Sequence, residues 1–133
     1  MSDRLFITGA TGNTGQALLR LLVSSGRYDP SSITCLCRPG GRGERLLAFG
    51  VRIAGGDASN AESVARVYRG EEIVVHVSSY RHTEAVLAGC RGTRRLVMIS
   101  STGVYSDYRE IAKDIETAER AVGRSGVAYT ILR

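Results

Sequence analysis

Near its start, the chain has a short apolar strand that runs through a glycine-rich turn into a leucine-rich helix, and this order of elements is compatible with few folds. Residues 5–8 read Leu-Phe-Ile-Thr, and the turn at 9–15 reads Gly-Ala-Thr-Gly-Asn-Thr-Gly. The first glycine would let the chain turn tightly, the second would let a phosphate approach the backbone, and the third would let the helix pack close to a sheet. The free N–H groups at such a helix start favour anions. The motif therefore predicts a dinucleotide-binding turn built from Gly9, Thr11, Gly12, Asn13, Thr14 and Gly15.

Apolar segments of strand length alternate with segments of helical length along the chain. The predicted strands are Leu5–Thr8, Ile33–Cys37, Val51–Ala54, Ile73–Val77, Leu96–Ser100 and Val127–Leu132. The predicted helices are Thr14–Ser25, Gly43–Phe49, Ala61–Arg69, His82–Ala88 and Tyr108–Ser125. This alternation predicts an α/β fold whose parallel sheet is covered by helices on both faces. Right-handed crossovers and a short first turn favour a doubly wound, six-stranded Rossmann sheet of order 3-2-1-4-5-6.

Composition and charge narrow the class of protein further. The 133 residues are 43% hydrophobic, which suits one domain with a single core. No run approaches the roughly 20 apolar residues that span a bilayer, and the start of the chain lacks a secretory pattern. The net charge of +5 is spread without a basic block, which argues against nucleic-acid binding. Cys35, Cys37 and Cys90 lack metal-like spacing and are interpreted as buried thiols. We expect a cytoplasmic protein with neither a membrane partner nor a metal site.

Four segments together resemble the short-chain dehydrogenase/reductase superfamily, in particular its extended and atypical branches. They are residues 8–15 with their G-x-x-G-x-x-G spacing, the Gly-Asp pair at 56–57, residues 98–105 and residues 125–133. They are similar to signatures of NmrA-like proteins and of NAD-dependent epimerase-like reductases. The resemblance implies that residues 1–133 form an NAD(P)-binding Rossmann domain. In such relatives the last segment continues into a substrate-binding part, which we expect to be absent from these residues.

The end of the second predicted strand bears on the choice of cofactor. An acidic residue there would accept hydrogen bonds from the ribose 2′-OH and favour NAD. Here the strand is followed by Arg38, whose permanently charged planar group suits a 2′-phosphate, and Arg42 or Arg45 could assist from the next loop. NADP is therefore the expected cofactor, with NAD as the alternative. Asp57 matches the family position near the adenine amino group, and it could also cap a helix that starts near Ala58.

Polar side chains after the fourth and fifth strands are expected to meet the nicotinamide end of the cofactor, among them Ser78. In the superfamily a Ser or Thr polarises the substrate carbonyl, a Tyr transfers a proton, and a Lys four residues later lowers the pKa of that tyrosine. By this resemblance Ser101, Tyr108 and Lys113 are the catalytic candidates. The tyrosine–lysine spacing is one residue too long, or about 100° around a helix. Tyr105 is a second candidate for the proton donor.

The displaced spacing leaves two functions open. The chain belongs either to an oxidoreductase or epimerase-like enzyme that transfers hydride between nicotinamide and an unknown small-molecule substrate, or to NADP(H)-sensing regulators of the NmrA kind. In the second case Tyr105 and Tyr108 would pack at the rim, and Lys113 would be a solvated helix charge. His76 and His82 are given no catalytic role, because no Ser-His-Asp pattern surrounds them. A bare surface beside the last strand would favour self-association into a homo-oligomer.

Overall fold

The sheet of this protein has the architecture that the alternating pattern predicts. A computed structural model describes residues 3–133. Its six strands are all parallel, and they lie in the order β3-β2-β1-β4-β5-β6. Their bounds are β1 Leu5–Thr8, β2 Ile33–Cys37, β3 Arg52–Gly55, β4 Ile73–His76, β5 Arg95–Ile99 and β6 Ala128–Leu132. The predicted doubly wound Rossmann topology is confirmed.

Four α-helices and several 3₁₀ segments connect the strands. The α-helices are α1 Asn13–Ser24, α2 Ala61–Val67, α3 Thr83–Gly89 and α4 Arg109–Arg124. The predicted helix Gly43–Phe49 is a 3₁₀ helix, which starts without a side-chain cap and ends at Gly50 with a φ of 76°. The tighter 3₁₀ winding still buries Leu46 of this segment. Within the described part of the chain, no helix combines the length and hydropathy that a membrane span requires.

Two apolar clusters pack on opposite faces of the sheet. Successive side chains of β1 point to opposite faces of the sheet, so Leu5 and Ile7 belong to one cluster and Phe6 belongs to the other. The first cluster includes Leu19 of α1 and the second includes Val122 of α4, and α2 and α3 also contribute to the second. Helices therefore cover both faces, as predicted. Burial of Cys35, Cys37 and Cys90 as free thiols agrees with the sequence interpretation.

The strand order creates a crevice at the carboxyl edge of the sheet between β1 and β4. The chain leaves β1 toward the face covered by α1 and leaves β4 toward the face covered by α3. Ligands of open α/β sheets bind at such a switch point, outside the carboxyl ends of the strands. The fold thus places the glycine turn and the residues that follow β4 on the two sides of one crevice.

Candidate functional site

Two glycines of the turn at 9–15 are required by the fold itself. Gly9 has a φ of 74°, and a Cβ at this position would overlap the backbone of Ser78. A Cβ on Gly15 would overlap Gly9 and the Cα of Ala10, at 2.6 Å from the latter. Both positions therefore bring backbone against backbone, and no larger residue fits without moving the turn. This geometry agrees with the roles that the sequence predicts for the first and third glycines.

Gly12 differs from both of these glycines because it has room for a side chain. The nearest atom to a Cβ at Gly12 would be the carbonyl oxygen of Gly9, at an ordinary 3.6 Å. Its φ of −77° suits any residue, and α1 begins directly after it without a side-chain cap. Asn13 and Thr14, in the first turn of α1, are exposed. The first-turn N–H groups are thus available to an anion, and nothing within the fold demands a glycine at position 12.

A cavity of about 540 Å³ opens beside this turn. Its lining is formed by Thr11, Gly12, Cys37, Arg38, Pro39, Gly40, Gly41 and Arg42. Two arginines therefore face the same space as the start of α1, whereas Arg45 does not line it. Neither Arg38 nor Arg42 forms an ion pair among residues 3–133. The cavity can accept an anionic group held by the helix start and a guanidinium.

Asp57 follows β3 at the carboxyl edge of the sheet, but it does not cap α2. Its carboxylate accepts hydrogen bonds from the backbone N–H and the hydroxyl of Ser59, at 2.9 and 2.7 Å. Asn60 caps α2 instead, by accepting a hydrogen bond from the N–H of Ser63. The helix-cap alternative is therefore wrong, because α2 starts three residues later than that alternative assumed. The Ser59 hydrogen bonds, reinforced by the charges of Arg38 and His82, lower the pKa of Asp57.

Ser78 lies across the crevice, directly against the glycine turn. Its hydroxyl is 3.1 Å from the Thr8 hydroxyl and 3.3 Å from Nδ1 of His76. His76 was predicted to have no catalytic role, yet its imidazole is fully buried at the centre of this polar group. The parallel register already pairs Thr8 of β1 with His76 of β4. Counting both strands back from their ends would have revealed this pair once the strand order was known.

The three catalytic candidates lie after β5 and at the start of α4. The Ser101 hydroxyl accepts a hydrogen bond from the N–H of Gly103 and so caps the 3₁₀ turn at Thr102–Tyr105. Tyr108 is the N-cap residue of α4 and is 76% exposed, and Lys113 is exposed on the same helix. No hydrogen bond joins the Tyr108 hydroxyl to the Lys113 ammonium within residues 3–133. Their catalytic assignment therefore stays a prediction from the resemblance.

A neighbouring group of side chains was not found by sequence reasoning. Arg133 donates hydrogen bonds to both carboxylate oxygens of Glu119, at 3.0 and 2.9 Å, and to the Tyr105 hydroxyl at 2.7 Å. Ser100 donates to the same carboxylate at 2.8 Å. The Arg133 hydrogen bond is the main reason that the pKa of Glu119 is lowered. This cluster ties α4 to the carboxyl ends of β5 and β6, beside the catalytic candidates.

A second cavity, of about 500 Å³, lies between α3 and α4 near the amino end of β5. Leu87, Leu96 and Val127 contribute apolar surface to it. It shares no residue with the glycine turn and lies at the opposite edge of the sheet from the crevice. Among residues 3–133, no cluster of three or more His, Cys, Asp and Glu side chains could hold a metal ion. The crevice beside the glycine turn is therefore the candidate nucleotide site.

The fold and the crevice together define a Rossmann-type nucleotide-binding domain. The sequence of residues 9–133 matches the family described as NAD(P)H-binding, and the chain belongs to that family. The resemblance to reductases and epimerase-like proteins is confirmed at the level of family and fold.

Known relatives extend well beyond the length of this chain. A 2-alkyl-3-oxoalkanoate reductase of Shewanella oneidensis is 38% identical over 74 residues, which are 56% of this chain and 18% of the relative. An NADPH-dependent quinone oxidoreductase of Escherichia coli superposes with a TM-score of 0.81 at 21% identity, covering 96% of this chain and 46% of that structure. A nucleoside-diphosphate-sugar epimerase of Staphylococcus aureus superposes with a TM-score of 0.77 at 17% identity, and the match covers 96% of this chain and 49% of that structure. This chain thus spans less than half of these structures, which share its fold.

Proposed function

We propose that this chain binds NADP(H) along the crevice, with the pyrophosphate against Gly12 and the start of α1. The observation that carries the proposal is that Gly12 has open space around a hypothetical Cβ, while Gly9 and Gly15 have none. A glycine that the fold does not need is explained by a ligand that must touch its backbone. Thr11, Asn13 and Thr14 would border the same phosphates through the turn and the first N–H groups of α1.

The 2′-phosphorylated cofactor is favoured by the charge beside the turn. Arg38 and Arg42 both line the cavity next to Gly12. A guanidinium binds a phosphate through parallel, charge-assisted hydrogen bonds. The adenosine end would then lie toward Arg38 and Asp57, and the nicotinamide ribose toward Ser78. The NADPH dependence of the quinone oxidoreductase with the same fold supports this choice.

The reaction that suits this site is hydride transfer between nicotinamide and a carbonyl or alcohol carbon of a small molecule. Ser101 would polarise the carbonyl, and Tyr108, assisted by Lys113, would supply the proton. The reductase names of two relatives support an oxidoreductase. The second candidate is an NADP(H)-sensing regulator, which is favoured by the exposure of Tyr108 and the lack of a hydrogen bond between it and Lys113.

Gly12→Val tests the binding mode directly. The isopropyl group would occupy the space of the pyrophosphate, so calorimetry should show loss of NADPH binding with little change in thermal unfolding. Gly123→Val is the matched control. Gly123 lies near the end of α4, and the atom nearest to a Cβ there would be the Tyr129 hydroxyl oxygen, at 3.6 Å. The control should keep its affinity for NADPH. Unchanged affinity in a folded Gly12→Val protein would overturn the proposed site.

A further inference from the structure

A buried chain of hydrogen bonds connects the two sides of the crevice through His76. Nδ1 of the imidazole lies 2.9 Å from the Thr8 hydroxyl, on the residue before the glycine turn. Nε2 lies 3.1 Å from the hydroxyl of Thr83, the first residue of α3. All three side chains are almost wholly removed from solvent. The imidazole thus bridges β1 to α3 at the level where the proposed cofactor crosses the sheet.

The partners of the two hydroxyl groups determine the direction of these hydrogen bonds. The Thr83 hydroxyl donates to the carbonyl oxygen of Tyr80 at 2.6 Å, and a carbonyl can only accept. The Thr83 oxygen must therefore accept from Nε2, which carries the proton. On the other side, the Thr8 oxygen accepts from the backbone N–H groups of Val77 and Ser78, at 3.2 and 3.3 Å. Its own proton is left for Nδ1, either directly or through the Ser78 hydroxyl.

We infer that His76 is a positioning residue of the proposed NADP(H) site, acting as the neutral Nε2–H tautomer that holds the Thr8 hydroxyl in place. The held hydroxyl in turn anchors the N–H of Ser78, against which Gly9 packs, and it shares the N–H of Val77 with the backbone carbonyl oxygen of Thr8. Displacing Thr8 would shift the turn and Ser78 relative to each other. This inference rests on the proposed function, since its consequence is the alignment of the pyrophosphate and ribose subsites.

The surroundings of His76 favour the uncharged ring. Thr8, Ser78 and Thr83 do not titrate, and Met98, paired in register on β5, is buried and apolar. The titratable group that acts on it is His82, on the turn before α3. Burial, assisted by the charge of His82, lowers the pKa of His76 to about 4. A proton on Nδ1 would also face a Thr8 oxygen that already accepts two N–H groups.

Two substitutions of His76 test the contributions of its two ring nitrogens separately. The amide of His76→Asn lies near the position of Nδ1 and can accept from Thr8, whereas the amide of His76→Gln reaches toward Thr83 and leaves Thr8 without its acceptor. We expect NADPH affinity within about threefold of wild type for Asn and about tenfold weaker for Gln. Thr8→Val should lose affinity like the Gln variant, and Thr8→Ser, which keeps the hydroxyl, should restore it. Circular dichroism of each variant checks the fold.

Nitrogen NMR of the ¹⁵N-histidine-labelled wild-type protein gives a readout that does not depend on the variants. At neutral pH, Nε2 of His76 should appear protonated and Nδ1 unprotonated. The opposite tautomer, or equal losses of affinity for the Asn and Gln variants in a wild type that binds NADPH, would overturn the inference alone. A wild type that binds no NADPH would overturn the proposed function and the positioning role together.

Discussion

In the glycine turn, some glycines are required for folding and another is explained only by ligand binding. Gly9 and Gly15 lie where a methyl group would meet backbone atoms, so substituting either one should damage the fold itself. Gly12 lies in the same turn with open space around it, and its substitution should affect only a ligand. Loss of binding after mutation of a glycine in this turn is therefore informative about the ligand only at position 12.

Arg38 carries the expected preference for NADP over NAD. Its guanidinium borders the cavity beside Gly12, and no carboxylate pairs with it among residues 3–133. Because charge-assisted hydrogen bonds contribute about 1.5–3 kcal/mol, Arg38→Ala should weaken NADP binding by roughly 10- to 100-fold. The affinity for NAD, which lacks the 2′-phosphate, should stay almost unchanged. Calorimetric titration with both dinucleotides measures the difference.

Arg45→Ala is the matched control, since Arg45 belongs to the same segment but does not line the cavity. It should leave both affinities close to wild type. Equal losses for NADP and NAD in Arg38→Ala would show that this side chain does not recognise the phosphate. Equal effects of the two arginine substitutions would instead indicate a general electrostatic attraction to anions.

At the scale of elements, helix α4 decides whether the site can perform chemistry. Tyr108 is the N-cap residue, so it lies outside the helical repeat that the tyrosine–lysine spacing assumes. Lys113 lies within the helix, where its direction is set by the buried side of α4, which includes Ala112 and Ile115. The start of the helix therefore matters as much as the spacing, because it allows the tyrosine to take a position unrelated to the helical repeat.

We expect slow or absent turnover by residues 1–133 despite NADPH binding. The Tyr108 side chain is 76% exposed, and water around it weakens the stabilisation of a developing oxyanion. The measurement is the loss of NADPH absorbance with quinones, aldehydes and keto-sugars, repeated for Ser101→Ala, Tyr108→Phe and Lys113→Ala. Tyr129→Phe is the control, because it removes the hydroxyl group of an exposed tyrosine on β6. Robust turnover that collapses in the Tyr108 and Lys113 variants but survives in the control would exclude the regulator.

At the scale of the whole molecule, one part of the sheet remains open. Strand alternation places Ile131 with the cluster on the α4 side, so Leu132 and Thr130 face the α1 side. Leu132 is 50% exposed, and Thr130 and Ala128 are exposed beside it. Ala128 and Leu132 give this face exposed apolar surface on an edge strand, and such surface favours association. We therefore expect the 133-residue polypeptide to self-associate as its concentration rises, which sedimentation velocity would detect.

Leu132→Gln should weaken this association, because it removes apolar surface from the open face. Leu21→Gln is the matched control, since Leu21 is 69% exposed but belongs to α1. Association of the control should resemble that of wild type. A sharp monomer boundary for the wild type at high concentration would contradict the prediction.

The class of fold and the position of the glycine turn could both be predicted from the amino-acid sequence alone. Both follow from local patterns, because strand and helix periods are written in neighbouring residues and the glycines act on their own backbone. The place of Arg38 beside the cavity was also predictable, since Arg38 directly follows β2 at the carboxyl edge of the sheet, whereas its role toward a phosphate stays a prediction. The helix at Gly43–Phe49 also lies at its predicted place, although the pattern did not indicate its 3₁₀ geometry.

Contacts between side chains that are distant in sequence depend on the tertiary structure. Thr8 and His76 are 68 positions apart and touch because β1 and β4 are neighbours in register. Arg133 reaches Tyr105 because β5 and β6 end at the same edge. A buried histidine inside an apolar strand reads from sequence as an isolated polar residue. Its partners come from another strand and another helix, so its role depends on contacts that no local pattern contains.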